Sequence, residues 1–193
     1  MIDYPHKLTD EVYEYIKGEA THVLVQDHIR LRPILGQEIA MKEHIKLIPY
    51  STLSGKKLEA IKALSKDGAF EENGNEDCIY YNNCDCPQRQ NWTILHELGH
   101  FFLDHIGRTD TEEREADFFA KFIIAPPILV YKIKAQDPDD IYENFKISSE
   151  ASQYSFNYYQ KWLRHYKQNG ELTDYEQQLL DLYNLEINNL IAS

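Results

Sequence analysis

The chain has no apolar run long enough to cross a membrane. Its two most hydrophobic stretches, ILHELGHFF and FFAKFIIAPPILVY, are interrupted by charge or proline, and neither approaches the 18 or so uninterrupted apolar residues that mark a spanning helix. The opening, MIDYPHKLTDEVYEYIKGE, lacks the basic start and apolar core of a signal peptide. A soluble, cytoplasmic protein with no membrane partner is expected. Cationic charge is also scarce: 20 Lys and Arg stand against 32 Asp and Glu, a net charge of −12. That balance excludes a surface built to hold nucleic acid, so no direct nucleic-acid binding is expected. Cysteine is limited to Cys78, Cys84 and Cys86, an odd number in a chain without an export signal, which reads as reduced thiols. The C-x-C of Cys84 and Cys86 has no matching pair elsewhere and does not make a zinc framework. Repeats, low-complexity segments and linkers are missing too. The expectation is one domain over 1–193, in which only the Gly170–Thr173 break could set 170–193 apart as a C-terminal helical appendage.

What is present is ordinary globular material: 42% hydrophobic residues, with 14 Tyr and 8 Phe, enough for one good core. Thr9 and the acids after it open a first helix to about Val25, which Gly18 could break. A second helix runs to His44 with Ile34, Leu35, Ile39 and Ala40 inward and Pro33 in its first turn. IKLIP at 45–49 is a strand, and Ser54 caps a helix through Asp67 that buries Leu58, Ile61 and Leu64. Gly68 to Asn82 reads as a hairpin around the Asn73-Gly74 turn signal. The second strand, Tyr80, Tyr81 and Asn82, reads equally well as an exposed strand that could align an extended peptide by β-augmentation or as a plain core strand. Downstream, Pro126-Pro127 stops a helix, short helices follow at 128–135 and 138–145, and Ser148 or Ser149 caps a long helix closed by Gly170. Thr173 and Glu176 form a capping box for the last helix. Asp139 to Leu163 has the outline of a helix-turn-helix, but only Lys146 and Lys161 stand there among several acids, which argues against DNA binding.

The chemistry concentrates in Gln90 to Ile106, QNWTILHELGHFFLDHI. Histidines four apart on a helix lie one turn above each other, about 40° apart around the axis, so His96 and His100 can reach one metal ion. Glu97 beside them can hold the attacking water as general base. Trp92, Leu95, Leu98, Phe101, Phe102 and Ile106 recur at helical spacing and should bury the helix. Gly99 leaves it bare on one side, where backbone, metal or substrate can approach. In a chain with 8 histidines such a motif can arise by chance. The helix at Glu112–Ala125 makes the stronger case, because Glu113 and Asp117 again stand one turn apart. Hydrolytic zinc takes three protein ligands and keeps one position open. Glu113 is the third ligand, and Asp117 accepts the spare ring N–H of a ligand histidine. Leu103 and Ile106 stand where the H-E-x-x-H-x-x-G-x-x-H class needs Gly and His. On a continued helix His105 lies about 140° round from His100, so it is not read as a ligand. The oxyanion donor is left open, with Tyr154, Tyr158, Tyr159, Arg164 and His165 as candidates.

The run IYYNN…RQNWTILHELGHFFLDH…EREADFFAKFIIAPP resembles the core of the ImmA/IrrE family of zinc metallo-endopeptidases. The resemblance covers roughly 45–165 and is strongest over 79–127. It implies a gluzincin-like fold, and the elements read above make that fold α+β, mostly helical, with a small sheet of about three strands beside the metal helix. It also implies Zn2+ on His96, His100 and Glu113, with Glu97 as base. Family members of this kind commonly cleave or inactivate a helix-turn-helix repressor, releasing mobile-element, phage or stress genes, so a bacterial or phage protein is expected. The rival from another class is a non-cleaving antirepressor, a binding module that keeps the metal but performs no hydrolysis.

Overall fold

The computed structural model describes residues 7–30, 32–72, 74 and 76–191. Helix α1 (Asp10–Gln26) is followed by α2 (Gly36–Lys42), β1 (Lys46–Pro49), α3 (Gly55–Leu64), β2 (Gly68–Glu71) and β3 (Cys78–Tyr81). Then come α4 (Pro87–Phe102), α5 (Asp110–Ile124), α6 (Pro127–Lys132), α7 (Pro138–Phe145), α8 (Ser149–Asn169) and α9 (Asp174–Ile191). The architecture is α+β, with helices dominant and a small mixed sheet. No helix among the described residues is long and apolar enough to cross a membrane. The chain forms two compact units, Met1–Ile16 with Leu35–Ala120, and Lys17–Ile34 with Lys121–Ser193.

The first unit is built around the sheet and α4. Strand order is β1-β3-β2. β1 runs parallel to β3, pairing Leu47 with Ile79, and β2 runs antiparallel to it, pairing Phe70 with Ile79. β3 is therefore the central strand. This corrects the reading of Tyr80 and Tyr81 as an exposed strand: both edges of β3 are taken up by neighbours, and Tyr80 is buried. Asn82 lies just past the strand, its N–H donated to the Asp67 carbonyl. The outer strands are β1 and β2. Asn73 of the expected turn lies outside the described residues.

α4 is buried on several sides rather than along one stripe. Leu95 and Leu98 are fully buried, as are Ile94 and Glu97 nearly so; each leucine contributes about 1.5–3 kcal/mol from removing its apolar surface from water. Gly68 lets β2 lie against the helix, since a Cβ there would meet Thr93 Cγ2 at 2.4 Å. α4 ends at Phe102, so Ile106 falls outside it and is exposed rather than inward.

Elsewhere the differences are local. α1 passes through Gly18 without a break, because Ile16, Ala20, Val23 and Leu24 form a buried face on either side of it. α2 begins at Gly36, with Pro33 ahead of the helix and Leu35 exposed at its N-cap. α3 stops at Leu64, which is exposed, while Ile61 carries its burial. In the second unit α8 packs against α6 and α7, and α6 also against α9. Ser148 caps α8 by accepting from the Ala151 N–H at 3.1 Å, and Gly170 closes it at φ 72°. Thr173 and Glu176 form the reciprocal capping box of α9. The side chains of α9 beyond Tyr183, Ile187 among them, lie outside the described residues.

Candidate metal centre

His96, Glu97 and His100 stand on α4; Glu113 and Asp117 stand on α5. What brings the two helices together is Gly99. A Cβ on it would lie 3.0 Å from Ala116 Cα and 3.2 Å from the Ala116 carbonyl oxygen. Of the three approaches open to that bare side, the α5 backbone is the one found. Ala116 sits between Glu113 and Asp117, so this crossing delivers both carboxylates to the histidine face. Gly99→Val should therefore destabilise the fold by about 1–3 kcal/mol through overpacking against backbone that cannot give way. Its melting temperature should fall and its metal affinity with it; an unchanged melting temperature would disprove the tight crossing.

One atom from each of His96, His100 and Glu113 lies within 4.8 Å of the others. The two Nε2 atoms are 3.2 Å apart. His96 Nε2 is 3.4 Å from Glu113 Oε2, and His100 Nε2 is 3.4 Å from Glu113 Oε1. Donors about 2.0–2.2 Å from a tetrahedral zinc are separated by roughly 3.3–3.5 Å. The spacing and the mixed nitrogen–oxygen donor set both suit such an ion. Asp117 Oδ1 lies 3.0 Å from His96 Nδ1, accepting its N–H and leaving Nε2 turned toward Glu113.

Electrostatics follow from this crowding. Burial disfavours charge on His96, but hydrogen bonds to Asp117 and Glu113 outweigh it and hold its pKa up to about 9. Hydrogen bonds from His100 and His96 push the Glu113 carboxyl far below the usual carboxylate range, against its burial.

Glu97 is nearly fully buried and is held through one oxygen. The Phe70 N–H of β2 donates to Oε2 at 2.8 Å, and Arg108 Nη2 donates to the same atom at 2.8 Å. Arg108 Nη1 also lies 3.7 Å from Glu113 Oε1. Sequence reasoning missed Arg108, whose place in the loop before α5 carries no periodic signal. Its loop did carry one: Thr109-x-x-Glu112 is a capping box. Glu112 accepts from the Thr109 N–H and hydroxyl at 2.8 Å and from the Gly107 N–H at 3.1 Å, while the Glu112 N–H donates back to Thr109 Oγ1. These donors, the Thr109 N–H first, hold the Glu112 carboxyl down at about 2. A continued helix would carry His105 away from His100, yet its ring lies beside that of His100, with the two Nδ1 atoms 2.9 Å apart.

Residues 55–157, just over half of the chain, match the family model of the IrrE N-terminal-like domain, Peptidase_M78. No curated protein matches the chain.

Proposed function

The chain belongs to the IrrE N-terminal-like (ImmA/IrrE) family of metallopeptidases, and from that premise we propose a zinc endopeptidase whose substrate is a helix-turn-helix repressor. His96, His100 and Glu113 would hold the metal, and Glu97 would be the general base. The observation that carries this reading is the donor cluster, two Nε2 atoms 3.2 Å apart and each 3.4 Å from one oxygen of the Glu113 carboxylate, with the buried Glu97 carboxylate beside it. Bound zinc supplies Lewis acidity to the attacking water and the scissile carbonyl. The rest falls to the chain's own groups. Glu97 takes the water proton and passes it to the leaving amine. Phe70 N–H and Arg108 both occupy Oε2, so the proton is carried by Oε1. Asp117 fixes the ring of His96.

The substrate class rests on the family resemblance and on charge. A net charge of −12 attracts a basic DNA-binding protein and repels DNA itself. The same reading places the reaction in the cytoplasm and treats the whole chain as one metallopeptidase domain. The test of substrate is to incubate the zinc-loaded protein with the helix-turn-helix repressor encoded nearest to it and look for cleavage on a gel. Failure to cut any such repressor, with casein cut normally, would reject the substrate class.

A pH dependence follows. In the metal-free protein His96 keeps its second proton up to about pH 9, and ligation must displace it. Zinc affinity should climb as pH rises toward 9 and then level off. Uptake near pH 7 should release a proton, visible as a buffer-dependent binding enthalpy. An affinity flat across that window would remove His96 from the ligand set.

A further inference from the structure

We propose that His105 and Glu115 are positioning residues for the metal centre: a hydrogen-bonded line from Glu115 through His105 fixes the ring of His100. This rests on the reading of His100 as a ligand. The placement begins in the backbone. After α4 the Asp104 residue is left-handed, at φ 52°. Its N–H donates to the Phe101 carbonyl at 3.2 Å, and the His105 N–H donates to the His100 carbonyl at 3.0 Å. That pair of bonds is a Schellman closure, with aspartate in the place glycine usually takes. It turns the chain back, so His105 lies behind His100 instead of 140° around a continued helix.

With a metal on His100, the proton order along the line is determined. His105 Nε2 lies 3.0 Å from Glu115 Oε2. An ionised carboxylate only accepts, so His105 Nε2 carries a hydrogen. Of the two Nδ1 atoms 2.9 Å apart, one donates and one accepts. If His105 donated, His100 would have to carry its proton on Nε2, the atom that faces His96 and Glu113. A ligand Nε2 must be free of a proton, so His100 Nδ1 donates and His105 Nδ1 accepts. The His105 side chain is 5% exposed and that of Glu115 21%, so water is a poor substitute for either. The two ligand histidines are thus backed differently: His96 directly by the Asp117 carboxylate, His100 through a neutral ring.

The test compares His105→Phe, His105→Gln, Glu115→Leu and Glu115→Gln. Zinc affinity is read by competition with a chromogenic chelator, the cobalt-substituted proteins by visible absorption, and the metal-free proteins by melting temperature. His105→Phe fills the space without an acceptor and should lose about 10- to 100-fold in zinc affinity, as removal of a ligand's hydrogen-bond partner does. His105→Gln can accept the His100 N–H and should recover most of that loss. Glu115→Leu should lose affinity and Glu115→Gln should stay close to the parent. The cobalt spectrum should shift in the Phe and Leu variants only. Equal affinity in Phe and Gln variants, whether both reduced or both normal, would overturn the proposal; if His105→Phe does not fold, the Glu115 pair decides in the same way. His96→Ala serves as control. If it loses zinc while the His105 and Glu115 variants do not, this inference alone falls, whereas a parent protein that binds no zinc brings down the metal centre itself.

Discussion

Replacing Glu97 with Gln should lower repressor cleavage by about 10²–10⁴, the contribution of a positioned general base, while zinc content stays at the parent level. The amide keeps the size of the side chain and an oxygen that can still accept from Phe70 N–H and Arg108, the two donors 2.8 Å from Oε2. What it cannot do is take a proton from water. Arg108 loses a charged partner in the variant but keeps Glu113, 3.7 Å away, so the local fold should hold. Zinc content and melting temperature are measured on the same preparation as cleavage, and derepression is followed in cells. Full derepression with the repressor intact would replace the hydrolase with the binding module, an antirepressor that grasps its partner without cutting it.

The second large effect is loss of the metal. The protein should carry about one zinc per chain by elemental analysis, and His96→Ala or His100→Ala should abolish it. Glu113→Ala should weaken binding by more than the roughly 10- to 100-fold expected for Asp117→Ala, whose carboxylate acts through the His96 ring. The distinction is geometric: Glu113 faces both Nε2 atoms at 3.4 Å, whereas Asp117 faces the opposite side of His96 at Nδ1. Glu112→Ala should leave zinc content intact, because that carboxylate is engaged with Thr109 and the Gly107 N–H ahead of α5. Full zinc retention in His96→Ala would move the site elsewhere.

Much of this was accessible to local reasoning. Four-residue spacing alone places His96 and His100 on one helix face, whatever surrounds the helix. The same holds for Glu113 and Asp117. Caps behaved in the same local way: Ser148, Gly170 and the Thr173–Glu176 box each mark a helix end within one turn of the chain. Two kinds of feature did not yield to spacing. Strand order is one: Cys78–Tyr81 reads equally well as an edge or a centre, and only its pairing with both β1 and β2 decides. Helix ends set by a left-handed residue are another. Nothing in Leu103-Asp104-His105 requires a stop, yet the turn at Asp104 removes Ile106 from the helix and redirects His105.

The helical character and two pairs of polar side chains at a one-turn spacing were legible in the sequence because each depends on contacts within a few residues, and the family was legible from motifs spread over 55–157. The tertiary structure alone decided that the pairs meet. That required α5 to cross α4 at Gly99, where the missing Cβ lets the Ala116 backbone approach. It also decided which groups surround them. Arg108 reaches Glu97 and Glu115 reaches His105 across 11 and 10 residues of chain, through a turn and a loop rather than along one helix. Side-chain direction across such a distance is set by packing and by the backbone conformation of Asp104, neither of which leaves a period in the sequence to read.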